Sequence, residues 1–390
     1  MRSIFLSLCV LGLTACATPE QTQVTPSAIE AVAAAAKKVI WHDEYFQEVP
    51  ATPIISRAEV FELSDQLKQR IIQAEVQKLG NISKTRFLLD LVYTKDSAEF
   101  SYNNNETTTA KKTWESKRGN CISLTILAYS IGRALNLPIV MQEVEIPVQF
   151  DRRGNLDFLS SHVNTMVMQK DFWFEREGEN RGYLIIDFEP QTMVLHKGRA
   201  LNEDEILSRF YNNLGAEHLV KNQKNAAYAY FKAAILAAPN NSLAYSNLAE
   251  LYLQTGWHEE AEQTLAHALL INENDVIAMR NMQKIMQMQN RDAEALMLAK
   301  KIEASNAENP HYWIGLGIQA IKNKEYLSAV KYLEKAKKMA HGYAEIHRNL
   351  AEAYLHTGNM AGAKYEISQL IDLVPDHPKS ILLRNKFAMR

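Results

Sequence analysis

From Ser208 onward the sequence repeats itself every 34 residues. A period of that size is too long for one element and too short for a domain. It describes a helical pair that buries its apolar face only by stacking on copies of itself. Leu214-Gly215, Ala227, Phe231, Ala234 and Pro239 mark the first copy. Leu248-Ala249, Ala261, Leu265 and Ala268 follow at the same offsets. The third copy, Met282-Gln283, Ala295, Ala299 and Ile302, is degraded. Leu316-Gly317, Ala329, Leu333 and Ala336 make the fourth, and Leu350-Ala351, Ala363, Ile367, Leu370 and Pro375 the fifth. Small residues at fixed places let two helices approach, and large ones fill the interface with the next pair. Gly256 and Gly358 fall at matching turns between helices, where a C-cap needs a left-handed residue.

These five units, about residues 208–377, resemble tetratricopeptide repeats. The resemblance implies an all-α solenoid whose curved surface takes up a protein or peptide partner. In this register Asn212, Glu250, Arg348 and Glu352 face the groove. Their charges are mixed and name no ligand, and the array reads equally as a spacer or a dimer surface. Tyr252, Met286 and Tyr354 lie at helical spacing and read as core.

The start of the chain has a different character. Arg2 precedes an apolar run, Ile4 to Leu13, that is too short to span a bilayer. The run ends in Leu13-Thr14-Ala15-Cys16, which resembles a bacterial lipobox. That resemblance implies a signal peptide over 1–15, a lipid on Cys16 and a polar, proline-bearing tether over 16–29. The alternative is an ordinary secretory signal cut nearby. Ala17, rather than Asp, follows the cysteine, and by resemblance to Gram-negative lipoproteins this implies the outer membrane, facing the periplasm. Of the three cysteines, Cys9 would leave with the signal and Cys16 would carry lipid. Cys121 is then the one thiol left, so the mature chain forms no internal disulfide. A thiol in an exported protein is a liability unless it is buried or used.

Between the tether and the repeats, residues 30–200 read as helices followed by strands, an α+β unit, so the chain as a whole is multidomain. Ser27 to Ile40 is alanine-rich and helical by propensity. Ser56-Arg57-Ala58-Glu59 fits a capping box and opens a helix through Val60, Leu63, Leu67, Ile71 and Ala74, widened by Phe61 and Ile72 and ended by Gly80. Ser83 opens a third, through Phe87, Leu88, Leu91 and Val92, and Thr109 to Ser116 a short fourth. Gly119-Asn120 forms a turn, and Cys121 opens a helix in which Leu124, Thr125, Ala128, Ile131 and Leu135 recur on one face. A thiol in the first turn of a helix sits near unpaired backbone N–H groups and the positive end of the helix dipole, which favours the nucleophilic thiolate. A small buried hydrophobe is the plainer reading of such a cysteine. The pattern then alternates: Pro138 to Val148, Ser161 to Met168 and Gly182 to Phe188 read as strands, with loops at 151–155 and 170–181. His162 begins the second strand and Asp187 sits near the end of the third. A thiolate needs an imidazole, and the imidazole needs an acceptor to fix its tautomer.

Gly119-Asn120-Cys121 with its apolar helix, Ser161-His162-Val163-Asn164 and Ile186-Asp187-Phe188 together resemble the transglutaminase-like superfamily of papain-type thiol enzymes. The branch they most resemble is the lipoprotein one joined to tetratricopeptide repeats. The resemblance implies Cys121 as nucleophile, His162 as general base and acid, and Asp187 as the orienting carboxylate. The Cys121 backbone N–H is the natural oxyanion donor, with Trp114 and Asn120 as candidate contributors. It implies cleavage or transfer of an acyl group at an amide bond, with hydrolysis expected over crosslinking. The competing expectation is a non-catalytic lipoprotein adaptor. No His-Glu-X-X-His, paired-cysteine spacing or glycine-rich phosphate loop occurs, so neither a metal nor any other cofactor is expected. A net charge of −2 without long basic runs gives no sign of a nucleic-acid partner. Sequence does not specify the oligomeric state.

Overall fold

The computed structural model describes residues 41–46, 53–93, 100–103, 106–144, 150–153, 156–159, 162–168, 182–188, 198–340 and 342–373. The signal, Cys16, the tether, the alanine-rich segment up to Ile40, the 170–181 loop and Pro375 lie outside these residues.

The first helical region is more broken than its periodicity suggests. α1 (Arg57–Phe61) has the expected Ser56–Glu59 capping box, but Glu62 is extended and Ser64 caps a second helix, α2 (Asp65–Gln73). A single 3-10 turn (Val76–Lys78) follows, entered through Glu75 in the left-handed region. Two serine caps within nine residues compete with helix continuation, because each side chain satisfies donors at a fresh helix start. Burial nevertheless follows the stripe at Val60, Leu63, Leu67 and Ile71, whereas Ala74 and Ile72 are exposed. α3 (Asn81–Tyr93) starts two residues before Ser83. After β1 (Ser101–Tyr102) comes α4 (Ala110–Ser116), capped by Thr109. β2 (Arg118–Gly119) pairs in parallel with β1.

α5 (Cys121–Ala134) is the centre of this unit. It is buried almost all round, not on one face. Leu124, Ile126, Leu127 and Ile131 are each at most 1% exposed. Each such side chain contributes roughly 2 kcal/mol by leaving water. One side of α5 meets the other helices and the other meets an antiparallel sheet of order β7-β6-β3-β8. Its strands are β3 (Ile139–Val144), β6 (His162–Met168), β7 (Tyr183–Ile186) and β8 (Arg199–Leu201). β8 was not legible as a strand. Nor was the hairpin of β4 (Phe150–Arg153) and β5 (Leu156–Leu159), which stands where a loop was expected and pairs Arg152 with Asp157.

The repeats form five helical pairs among the described residues. They are α6 (Glu203–Val220) with α7 (Lys224–Ala237), α8 (Ser242–Thr255) with α9 (His258–Ile271), and α10 (Val276–Met288) with α11 (Asp292–Glu308). Then come α12 (Pro310–Lys322) with α13 (Tyr326–Met339), and α14 (Ala344–His356) with α15 (Met360–Leu373). The turn inside each pair holds one left-handed residue, in order Asn222, Gly256, Asn290, Lys324 and Gly358. One buried cluster runs from Phe46 through the sheet and α6 to Ile302; a second, Ile314 to Ala353, serves the last two pairs. The first unit therefore shares its core with the early repeats. The segment 41–46 adds to that contact: Phe46 stacks on Tyr228 at 4.4 Å and His42 lies 4.1 Å from the Trp257 ring. Asp43 takes hydrogen bonds from Tyr228 (2.8 Å) and Lys232 (2.6 Å). No helix among the described residues is long and apolar enough to cross a membrane.

Candidate functional site

The turn before α5 is locked by a buried polar knot. Asn120 Oδ1 accepts from the Ser123 backbone N–H (3.0 Å) and from Ser123 Oγ (2.9 Å), which caps the helix. Asn120 Nδ2 donates to Thr107 Oγ1 at 2.8 Å, and Thr108 N–H donates to Ser123 Oγ at 2.8 Å. A Cβ on Gly119 would come within 2.7 Å of Ser123 Cβ, so the turn closes around a glycine. Cys121 is thereby the first residue of the helix, half-buried.

One bond explains how α5 finds the sheet. Thr125 Oγ1, one turn along from Cys121, donates to the Val163 carbonyl at 3.0 Å. Val163 follows His162, so the pin sets the Cys121 side chain beside the imidazole, close enough for the sulfur to contribute to the raised His162 pKa. His162 is 1% exposed. Its Nε2 lies 2.8 Å and 2.7 Å from Asp187 Oδ1 and Oδ2, which leaves Nδ1 for the sulfur. Burial works against charge on the ring, but the bonds to Asp187 and Cys121 outweigh it and raise the His162 pKa to about 10. Cys121, His162 and Asp187, far apart in the chain, are thus brought together.

Asp187 follows β7 directly, and the register Thr165 to Ile186 sets it across from Asn164. Asn164 Nδ2 donates to Asp187 Oδ2 at 2.9 Å, while its Oδ1 accepts from Gln142 Nε2 at 2.8 Å. Sequence reading assigned neither amide a role. The available signal was their spacing: His162 and Asn164 are two apart on a strand and so share a face, and Gln142 interrupts an apolar run. Tyr93 OH donates to the Asp187 carbonyl at 2.7 Å, and burial, with the Asp187 charge, pushes the Tyr93 hydroxyl pKa far up.

The two side chains considered for an oxyanion site sit elsewhere in role. The Asn120 amide is committed to the capping knot. Trp114 is buried in the core, its ring 6.1 Å from Phe100 and under Lys117 Nζ at 3.1 Å. Burial and Arg70 lower the Lys117 pKa to about 8. The four groove candidates do not form one cluster. Asn212 is buried and accepts from Asn247 at 2.9 Å, tying the first pair to the second. Glu250 accepts from Gln254 within its own helix. Arg348 reaches Glu345 at 3.3 Å, and Glu352 is exposed. A cleft of about 760 Å³ opens instead where the sheet edge meets the repeats. Glu143, Arg199, Arg209, Asn241, Asp275 and His311 line it. Among the described residues no cluster of His, Cys, Asp and Glu has the makings of a metal centre.

Residues 222–286 and 320–385 match the model of the tetratricopeptide repeat family. The chain carries tetratricopeptide repeats, and this match leaves residues 1–221 untouched. The BBSome complex member BBS4 of Bos taurus is 26% identical over 188 residues, 48% of this chain and 36% of that protein. Tetratricopeptide repeat protein 21B of Homo sapiens is 29% identical over 101 residues, 24% of this chain and 8% of that protein. The chain thus spans well under half the length of these two relatives. Among solved structures, YrrB, described as a TPR protein with an unusual peptide-binding site, is 16% identical and covers 47% of this chain and 94% of its own, with a TM-score of 0.25.

Proposed function

We propose that this chain is a repeat-based protein-binding scaffold whose first unit carries a Cys–His–Asp thiol centre of the transglutaminase-like class. The repeats support the scaffold part, since such arrays commonly bind protein segments. The cleft beside Arg199 and Arg209 is where a partner segment would touch both units at once. Photocrosslinkers placed at Asn241 and Glu352 test this: a partner captured at Asn241 but not at Glu352 supports the cleft, and the reverse moves binding to the last repeats.

The thiol reading rests on one observation, the 2.7 Å approach of His162 Nε2 to Asp187 beside Cys121. In this reading the Cys121 sulfur attacks an amide carbonyl and His162 passes the thiol proton to the departing amine as the C–N bond breaks. Water then attacks the thioester, His162 takes its proton, and the C–S bond breaks to release the acid and return the Cys121 sulfur to the imidazole. The Cys121 backbone N–H, at the first residue of α5, would face the oxyanion. Iodoacetamide on the folded protein is the test: alkylation of Cys121 that needs prior denaturation would remove the nucleophile. The competing reading, a scaffold with no chemistry, is separated by Cys121→Ala. If the cellular phenotype survives that change and is lost with cleft substitutions, the scaffold alone accounts for the function. The amino-terminal pattern ending at Cys16 further supports a lipid-anchored envelope protein, tested by metabolic labelling with a fatty acid and its loss in Cys16→Ser.

A further inference from the structure

The carboxylate of Asp187 stands just past the last laddered residue of β7, where the backbone no longer fixes it on both sides. Tyr93 holds the Asp187 carbonyl, a contact that does not reach the carboxylate. Two fully buried amides stand behind it, Asn164 and Gln142, each 0% exposed. An asparagine amide can present either its oxygen or its NH2, and only the NH2 suits a carboxylate. The choice is made upstream. The Gly198 backbone N–H, a donor that cannot be reversed, donates to Gln142 Oε1 at 2.9 Å. That turns Gln142 Nε2 toward Asn164 Oδ1 (2.8 Å), which in turn directs Asn164 Nδ2 at Asp187 Oδ2 (2.9 Å). The approach of Gly198 depends on its lacking a side chain, because a Cβ there would lie 2.2 Å from the Glu143 carbonyl.

We propose that Asn164, oriented by Gln142 and the Gly198 N–H, is the positioning residue that holds the Asp187 carboxylate on His162. This rests on the reading of Cys121, His162 and Asp187 as a thiol centre. Packing alone would be served by two apolar side chains of similar size, at the cost of leaving the Gly198 N–H without its acceptor. What apolar side chains cannot supply is a donor aimed at Asp187. Among the described residues, the charged and titratable groups around that carboxylate include His162 from β6 and Tyr93 from α3, and the thiol of Cys121 lies beyond the imidazole.

The test is the rate of Cys121 alkylation by iodoacetamide against pH, measured on the full chain. Wild type, His162→Ala, Asn164→Ala, Asn164→Asp and the double variant Gln142→Leu/Asn164→Leu are compared, each checked for folding by circular dichroism and melting temperature. In Asn164→Ala the rate curve should move to more alkaline pH by about one unit, with about a tenfold lower rate on its acid side. The double leucine variant leaves the Gly198 N–H without its acceptor and should melt somewhat lower, but while folded it should show the same alkaline displacement, which a merely structural role would not produce. Asn164→Asp keeps the shape but puts a second carboxyl beside Asp187, so should Asn164→Ala unfold it is the uncharged double leucine variant that decides the matter: the same displacement supports the proposal. If His162→Ala displaces the curve but the folded Asn164 variants overlay wild type, the positioning role is wrong and the thiol centre stands. If His162→Ala itself leaves the curve in place, the thiol centre falls and this role with it.

Discussion

At the scale of single residues, the cluster of Cys121, His162 and Asp187 is centred on a buried histidine whose pKa is raised. Burial disfavours the charge, yet Asp187 and Cys121 raise the His162 pKa from 6.5 to about 10. The folded chain therefore binds more protons than the unfolded chain between those values. The stability this contributes is complete below pH 6.5 and is lost as pH rises through about 10. Wild type should lose melting temperature between pH 7 and 10, and Asp187→Asn should lose less over the same range. Thermal melts across that range check it; parallel slopes would mean that the pair does not carry the shift. Sequence placed a histidine at a strand start and an aspartate at a strand end. It could not say that Thr125 would pin the helix one residue from His162, because a hydroxyl-to-carbonyl bond leaves no periodic trace.

Elements show where periodicity suffices. The second helices of the five pairs begin at Lys224, His258, Asp292, Tyr326 and Met360, spaced as the sequence repeat requires. Each intra-pair turn needs one left-handed residue, and Asn222, Gly256, Asn290, Lys324 and Gly358 supply it. Gly256→Asn should therefore cost less than about 1 kcal/mol, since asparagine tolerates that conformation, whereas Gly256→Val should cost more. Urea midpoints of the two variants decide this. At Gly215 the demand is closeness: an added Cβ would meet the Phe231 ring at 2.6 Å. Gly215→Ala should lose roughly 1–3 kcal/mol by overpacking despite its better helix propensity, and Phe231→Leu in the same chain should recover part of it. Periodicity misled around residues 57–78, where an unbroken apolar stripe concealed the break made by Ser64. It also missed β8, whose three residues are too few to show an alternation.

Across the whole molecule, the first unit and the early repeats are one packed body. Phe46 to Ile302 form one cluster, and Glu143 on β3 receives Arg199 and Arg209 from β8 and α6. Burial raises the Glu143 carboxyl pKa, but the two guanidiniums outweigh it and hold the group below its usual range. The last two pairs have their own cluster. Hydrogen exchange should accordingly show residues 314–353 opening at lower free energy than α5 and α6, in a separate unit. Uniform protection along the chain would contradict this. Arg209→Ala removes a mostly buried partner of Glu143 and should speed exchange in α6 and β8 together, leaving α14 unchanged.

By itself the sequence determined the repeat architecture, the helix that Cys121 opens, the strand that carries His162 and the one that Asp187 follows. Those features follow from local spacing, and spacing is written in the chain. Tertiary structure decided the rest: which residues meet across the sheet, that Asn120 caps a helix, and that Asn164 and Gln142 stand behind Asp187. Such contacts depend on strand register and on where a helix is pinned to a sheet, and both are set by the summed burial of the whole body.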